Sequence, residues 1–536
     1  MRNPAAGARG GPSLILFYLL YLTAAILLFT RLGSPSLYIL DEVKNAQCAR
    51  EMMHNANHWI PVFNGVLRTD KPPVHYFFMQ LAYHLFGVNA LAARFFSALA
   101  GLGTLMLIGS FARRFLDRFS SFFTILALVT CTHFLFEFRL AVPDPYLIFF
   151  TTLTFTSAFR WLEEGAPAEL YLAAFGAGMA VLAKGPVGIL LPGLCLLIWM
   201  GWKGKFRTLV SWHLPGALLL FLLLALPWYL LVDRATAGEW TRGFFLEHNL
   251  SRFTRAREGH GGIFLLVPAF FLVGLLPFSP FIPASLRQLR HHPNKAPLQF
   301  AILIVIVYLL FFSISRTKLP NYAMPCYPMA AVLIGAYLGR AWQGTYRVPG
   351  YLFWILAVIS LLIPAGAFLG IRSEMQTADL APMAWLLGIT PLTMTGILLS
   401  PQKSLSARLT WTALGWTALN LVGLLYLYPA IYVRNPVSQT IQQVKSAPAV
   451  LGYRIINPAY LFYLDHPVRV TENPDTLRHW LDMNPGAIVI TRSAFGAELR
   501  GLPLRPVASL HNLFETDTTA LFEGMPAPRT PGAGSH

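Results

Sequence analysis

Charge is scarce in this chain, and negative charge scarcest: 24 Asp and Glu stand against 41 Lys and Arg in 536 residues, and charged residues make up only 12%. Soluble domains carry about twice that fraction, so a single-core soluble globule is excluded. Cysteine is sparse too. Cys48, Cys131, Cys195 and Cys326 are scattered, three of them within apolar runs and none in a CxxC or CxxH spacing, which excludes a disulfide framework and a zinc ribbon. No GxxxxGK[ST] phosphate loop and no internal repeat occur. The excess of 17 positive charges is not gathered into a stripe on one domain, which argues against a nucleic-acid partner.

What is present in quantity is apolar: 55% of the residues, with a mean hydropathy of +0.53. Runs near the ~20 residues that cross a bilayer recur at roughly 13–33, 90–112, 119–137, 145–162, 169–184, 186–202, 212–232, 263–284, 297–315, 321–340, 351–371, 382–400 and 409–430. The pattern predicts an all-α polytopic membrane protein of about thirteen spans, with membrane lipids as its surroundings. The first run is long and lacks a small-x-small cleavage site, so it reads as a retained span rather than a signal peptide.

Basic residues fall on alternate connections: Arg2 and Arg9, Arg113, Arg114 and Arg118, Lys203, Lys205 and Arg207, Arg287, Arg290 and Lys295, Arg340 and Arg347, Lys403 and Arg408. By the positive-inside tendency these connections are cytoplasmic. The N-terminus is then cytoplasmic, and the loop 34–89 and everything after residue 430 are exterior, or periplasmic in a host with a periplasm. Residues 1–430 form the membrane domain. Short β-like runs (VLGYRI, VRVTE, AIVITR) alternate with helix-like stretches from 431 to 525, predicting a small exterior α/β domain. A Pro/Gly-rich tail follows at 526–536. Within the loop 34–89, residues 41–54 read as a helix with acidic residues in its first turn, and Pro72 and Pro73 set the start of another.

Ionisable residues near membrane depth cost about 2.5–3.5 kcal/mol each and mark function by default. They collect at the exterior ends of the runs: Asp41 and Glu42; Asp70 and Lys71; Glu137, Arg139 and Asp144; Lys184; Glu247, His248 and Arg252; Arg316, Lys318 and Tyr322. Charges that merely snorkel to headgroups need no special neighbours. Here Lys71 sits in DKPP, Asp144 in VPDP, Lys184 in AKGPVG and Lys318 in TKLPNY, each beside proline or glycine that positions the backbone. Several cations with two or three carboxylates suit a ligand bearing a phosphate and a reacting hydroxyl or second phosphate, since Lys and Arg clamp phosphate oxygens. One carboxylate then suffices as base, because a phosphate leaves without protonation.

The stretches LDEVKNAQCAREM, FNGVLRTDKPPVHYF, VPDPYLIFF, LAKGPVGILLP, EHNLSRF and SRTKLPNYAMPCYP resemble the polyprenyl-phosphate-dependent membrane glycosyltransferases of the GT-C fold, specifically the protein O-mannosyltransferase-like and lipid A aminoarabinose transferase group. The resemblance covers roughly residues 10 to 340. It implies a polyprenyl-phosphate-linked sugar as donor and a lipid, glycan or protein hydroxyl as acceptor, with inversion at the anomeric carbon. Residue by residue, it implies that Asp41 is the catalytic carboxylate, that Lys71 lies near the lipid phosphate, and that Asp144 is a second acidic residue of the cavity. Lys184, Arg252, Lys318 and Tyr322 match residues suited to holding the phosphate, and Glu42 supports the loop. In the aminoarabinose enzymes the residue before the DKPP-type lysine is often glutamate and can join a histidine at a metal. Asp70 and His248 stand in that relation here with a shorter reach, so a divalent metal is an alternative to a simple hydrogen bond. No other cofactor is implied.

The aromatics Phe77, Phe78, Tyr83, Phe95 and Phe96 suit a prenyl groove, although interfacial aromatics are usually filler. The rival function is a transporter or flippase of a lipid-linked sugar, which a charged cavity among helices also suits.

Overall fold

The computed structural model describes residues 12–250, 262–399 and 404–525. Its first ten helices are α1 (Leu14–Phe29), α2 (Leu40–His54), α3 (Val74–Phe86), α4 (Ala90–Phe115), α5 (Arg118–Val129), α6 (Thr132–Glu137), α7 (Asp144–Glu164), α8 (Pro167–Lys184), α9 (Val187–Lys203) and α10 (Leu214–Ala235). Seven described helical segments are long and apolar enough to cross a membrane, or eight when the bent pair Leu266–Gly274 and Ser279–Arg287 counts as one span. This is an all-α membrane protein with a small sheet at its C-terminus.

Several expected spans are interrupted. The run 119–137 breaks at Thr130 and Cys131 into α5 and α6, and the run 263–284 lies within a pair bent by 112°. The run 382–400 begins as a 3-10 stretch, Ala378–Gly388, before the helix Ile389–Leu398. α7 falls outside the set that passes on length and apolarity. Its Thr151, Thr152, Thr154 and Thr156 hydroxyls are buried and donate to carbonyls one turn back at 2.7–2.8 Å, which satisfies them without water. α8 packs against that face at Gly176, where a Cβ would lie 2.7 Å from the Thr154 hydroxyl.

The loop 34–89 is folded. α2 opens with Asp41 and Glu42 in its first turn. β1 (Val62–Phe63) and β2 (Val66–Leu67) form an antiparallel hairpin whose Asn64 and Gly65 both have positive φ, the conformation that a two-residue Asn-Gly turn supplies. The Glu51 carboxylate accepts from the backbone N–H groups of Asn64 (2.8 Å) and Gly65 (3.0 Å), locking the hairpin to α2.

At the C-terminus a five-stranded sheet runs in the order β4-β3-β5-β7-β6, from β3 (Val450–Tyr453), β4 (Val470–Thr471), β5 (Ile488–Arg492), β6 (Leu504–His511) and β7 (Thr518–Gly524). β3 pairs in parallel with β4 and β5; β7 runs antiparallel to β5 and β6. Residues of this region share one apolar core with the loop 34–89: Val43, Ala46 and Met52 pack in the same cluster as Tyr460, Leu461 and Ile490. Asn64 exchanges two hydrogen bonds with the Val468 backbone, each of 2.9 Å, and Arg50 pairs with Asp465 at 2.8 Å. The C-terminal sheet is thus fastened to the loop that carries Asp41.

Candidate functional site

A buried ion pair fixes the base of the loop. Arg94 on α4 meets Glu42 with two parallel hydrogen bonds, Nε to Oε1 at 2.6 Å and Nη2 to Oε2 at 2.7 Å, and both side chains are almost wholly buried. Arg94 also donates to the carbonyls of Leu32 and Pro35, and Glu42 Oε1 accepts from the Ala141 N–H at 2.9 Å. One carboxylate therefore ties α2 to α4 and to the segment before α7. Arg139 differs from its expected place in the site. Its guanidinium is turned to the end of α1, donating to the carbonyls of Leu27 (2.6 Å), Leu28 (3.1 Å) and Thr30 (3.1 Å), where the helix dipole favours a cation.

The motif glycines and prolines set the charged side chains. Asp144 is the first residue of α7, between Pro143 and Pro145, at the end where the dipole favours an anion. Lys184 ends α8. The following Gly185 has φ +78° and a Cβ there would lie 2.5 Å from the Phe244 ring, while a Cβ on Gly188 would lie 2.4 Å from the Ala180 backbone. KGPVG thus turns the chain between two helices packed too closely for side chains. Lys184 Nζ reaches Asp144 Oδ1 at 2.5 Å and lies 5.5 Å from the centroid of the Tyr322 ring.

Around this pair opens a cavity of about 370 Å³. Its polar part is Asp70, Lys71, Asp144, Lys184, His248 and Tyr322; its apolar part includes Leu190, Phe244, Phe245, Phe311 and Phe312. Asp70 Oδ1 lies 3.0 Å from His248 Nε2 and its Oδ2 lies 3.3 Å from Arg68 Nε. Burial alone raises the Asp70 carboxyl, but the His248 hydrogen bond and the charges of Arg68, His248 and Lys71 outweigh it and hold the group well below the usual carboxylate range. Glu137 is buried beside Asp144 and Lys184, within electrostatic reach of Asp41.

The structure brings Asp70, Lys71, Asp144, Lys184, His248 and Tyr322 to one cavity. Lys318 stands behind its wall: the ammonium is buried and donates to the carbonyl of Ser315 at 2.6 Å, and Ser315 lines the cavity. Asp41 is exposed in the first turn of α2 and does not line the cavity, though its charge acts on Arg68 and Glu137. Arg252 lies outside the described residues. For a metal, Asp70 and His248 supply two donors bonded to each other with two cations adjacent, and no group of three His, Cys, Asp or Glu side chains that could hold an ion occurs among the described residues. Asp70 is instead engaged by His248 and Arg68.

The family model for dolichyl-phosphate-mannose-protein mannosyltransferases matches residues 70–230. An undecaprenyl phosphate-alpha-4-amino-4-deoxy-L-arabinose arabinosyl transferase of Pseudomonas aeruginosa is 32% identical over 327 residues, 60% of this chain and 58% of that protein. An uncharacterized protein of Aquifex aeolicus is 31% identical over 324 residues, covering 60% of this chain and 73% of the relative. Among solved structures, ArnT from Cupriavidus metallidurans bound to undecaprenyl phosphate superposes with a TM-score of 0.80 at 20% identity, covering 95% of this chain and 98% of the other. The chain belongs to the GT-C glycosyltransferase group. It spans a little over half the length of the curated transferase it matches.

Within this GT-C chain, sequence reasoning overlooked two contributors, Arg68 and the phenylalanines that border the cavity. Arg68, two residues before Asp70, is buried and donates to Asn45 Oδ1 at 3.0 Å; its place at the head of RTDKPP was the available signal. The aromatics that line the cavity are Phe244, Phe245, Phe311 and Phe312, each just ahead of a charged motif, EHN or SRTK. Phe78, Phe95 and Phe96 instead pack on one another between α3 and α4, with ring centroids 5.1–5.3 Å apart. His248, singled out from the sequence, lies in a π-helical stretch, Gly243–Leu250, a widened turn often found at functional sites. The start of that stretch sits closely on the segment that follows β2, where a Cβ on Gly243 would be 2.7 Å from the Thr69 hydroxyl.

Proposed function

We propose that this chain is a membrane glycosyltransferase that moves one sugar from a polyprenyl-phosphate carrier to an exterior lipid, glycan or protein acceptor, with inversion. The observation that carries the reading is the cavity's mixed chemistry. Lys71 and Lys184 line it together with four phenylalanines, a combination that suits a phosphate carrying an isoprenoid chain. The relatives, an undecaprenyl phosphate sugar transferase and a dolichyl-phosphate-mannose transferase family, agree with that ligand class.

In the displacement, an acceptor oxygen bonds to the anomeric carbon as the bond from that carbon to the phosphate oxygen breaks. The electron pair goes to the phosphate and the acceptor proton to Asp41. Lys71, with Lys184, Tyr322, Lys318 and Arg252, holds the phosphate and stabilises the charge that builds on it, the effect that preorganised cations supply in a water-poor site. Asp144 orders Lys184, and Asp70 with His248 and Glu42 with Arg94 support the loop. The protein sits in the bacterial inner membrane with its N-terminus cytoplasmic; residues 1–430 form the membrane domain, 431–525 an exterior domain and 526–536 a tail.

Turnover of a polyprenyl-phosphate sugar by purified protein tests the reading. Wild-type transfer abolished by Asp41→Asn supports it. Movement of the intact lipid across vesicles without cleavage sinks it in favour of a flippase.

A further inference from the structure

A second cavity, of about 790 Å³, borders the start of α2 and shares no lining residue with the first. Its walls come from two distant parts of the chain: the entry and first turn of α2 with the 62–66 hairpin, and the C-terminal sheet with its β6–β7 connection. Leu40 and Lys44 line it, and Asp41 lies between them in sequence, with its charge acting on Arg68 and Glu137 toward the first cavity. The first turn of α2 thus borders the second cavity at Leu40 and Lys44, and it carries the proposed base.

The charged lining is mixed in sign. Lys44, Arg454 and Arg492 stand against Glu515 and Asp517, so donors and acceptors alternate without a strongly charged field. The carboxylates are held in place: Arg492 Nη1 meets Asp517 Oδ2 at 2.9 Å, and Asn512 Nδ2 donates to Glu515 Oε2 at 2.9 Å. Asn512 Oδ1 in turn accepts from the Thr519 hydroxyl at 2.7 Å. The Tyr38 ring supplies one apolar face, with its hydroxyl buried beside Asn457. With Arg492 held by Asp517 and Arg454 by Glu498, both arginines are already engaged by carboxylates, a poor clamp for a bare phosphate. A sugar, whose hydroxyls both donate and accept and whose ring has an apolar face, is matched by planar amide, guanidinium and carboxylate groups beside an aromatic ring.

We propose that this second cavity binds the acceptor as a carbohydrate, and that it presents one hydroxyl of that glycan at Asp41 while the donor occupies the first cavity. The proposal rests on the glycosyltransferase reading and names its acceptor class. It also gives the C-terminal sheet a role, since β5 and the β6–β7 connection form the outer wall of the acceptor chamber.

The test uses the full chain in detergent with a polyprenyl-phosphate sugar, and reads two reactions: sugar released to water, and sugar transferred to an oligosaccharide fraction cleaved from the host's envelope glycolipids. Glu515→Gln and Lys44→Ala, separately and together, leave release to water within twofold of wild type, raise the acceptor KM tenfold or more, and leave the donor KM unchanged. Glu515 is exposed, so its substitution does not threaten folding, and an unshifted melting temperature checks this. Equal acceptor KM in the variants overturns the proposal, as does transfer to a hydroxyl-bearing peptide but not to the oligosaccharide. Inhibition by inorganic phosphate that competes with acceptor and is lost in Lys44→Ala makes the cavity an anion site and likewise overturns it. Absence of both reactions in the wild type instead removes the glycosyltransferase reading on which it rests.

Discussion

Replacing Arg94 by Ala isolates the physics of the loop's foundation. The substitution leaves Glu42 fully buried with the Ala141 N–H at 2.9 Å as its remaining donor, after losing two charge-assisted bonds of 2.6 and 2.7 Å. The carbonyls of Leu32 and Pro35 lose their donor as well. Breaking a buried pair from one side costs about 3–5 kcal/mol, because an uncompensated charge stays in low dielectric, whereas removing both partners can be close to neutral. Arg94→Met combined with Glu42→Leu should therefore recover most of what Arg94→Ala loses. Arg114 and Glu164 provide the control: their contact is as short, 2.6 and 2.5 Å, but Arg114 is solvent-exposed, and such pairs contribute little. The assay is thermal unfolding of the detergent-purified protein, with transfer activity measured alongside. Arg94→Ala should lower the melting temperature well beyond Arg114→Ala and abolish activity by loosening α2. Equal shifts for the two variants would refute the reasoning.

The same geometry fixes three further outcomes. Lys71→Ala should depress sugar transfer by about 10²–10³-fold, the loss typical of removing one stabiliser of developing charge, with an unshifted melting temperature; near-normal turnover removes Lys71 from the site. Asp70 titrates lower in the folded chain than in the unfolded one, so its stabilisation is complete above the unfolded value, about pH 4, and drains away as pH falls further. Asp70→Asn should flatten the acid limb of a melting-temperature profile, and an unchanged limb counts against the Asp70, His248 and Arg68 arrangement. Gly185→Ala forces a side chain into a glycine conformation that costs about 1–3 kcal/mol and against the Phe244 ring; Phe244→Ala relieves the clash but not the strain, so full rescue by it contradicts the backbone argument.

The backbone-setting motifs were legible because proline and glycine act locally. PDP fixes the start of α7, KGPVG the α8–α9 turn and DKPP the start of α3, and each delivers a charge to one cavity without help from distant residues. Side-chain direction was less legible, since it depends on what lies across the space. Arg139 has the same sequence context as its neighbours Glu137 and Asp144, yet unsatisfied carbonyls at the end of α1 compete for it. Lys318 is similarly captured by the Ser315 carbonyl. The phenylalanines differ in the same way: Phe78, Phe96, Phe244 and Phe312 all pack on other rings, yet of these Phe244 and Phe312 also border the cavity, and apolar runs look alike in both cases. The shared core between α2 and the C-terminal sheet joins residues about 400 positions apart, a pairing that no periodicity signals.

The central claim is that Lys71 and Lys184 hold a polyprenyl phosphate in the cavity they share with the phenylalanines. Binding of undecaprenyl phosphate to the purified full chain, compared with the same lipid alcohol lacking its phosphate, measures it directly. Tight binding of the phosphate by wild type, falling at least tenfold in Lys71→Ala and in Lys184→Ala to the level of the alcohol, is the predicted result; equal affinity for the two lipids, unaffected by either substitution, would contradict it.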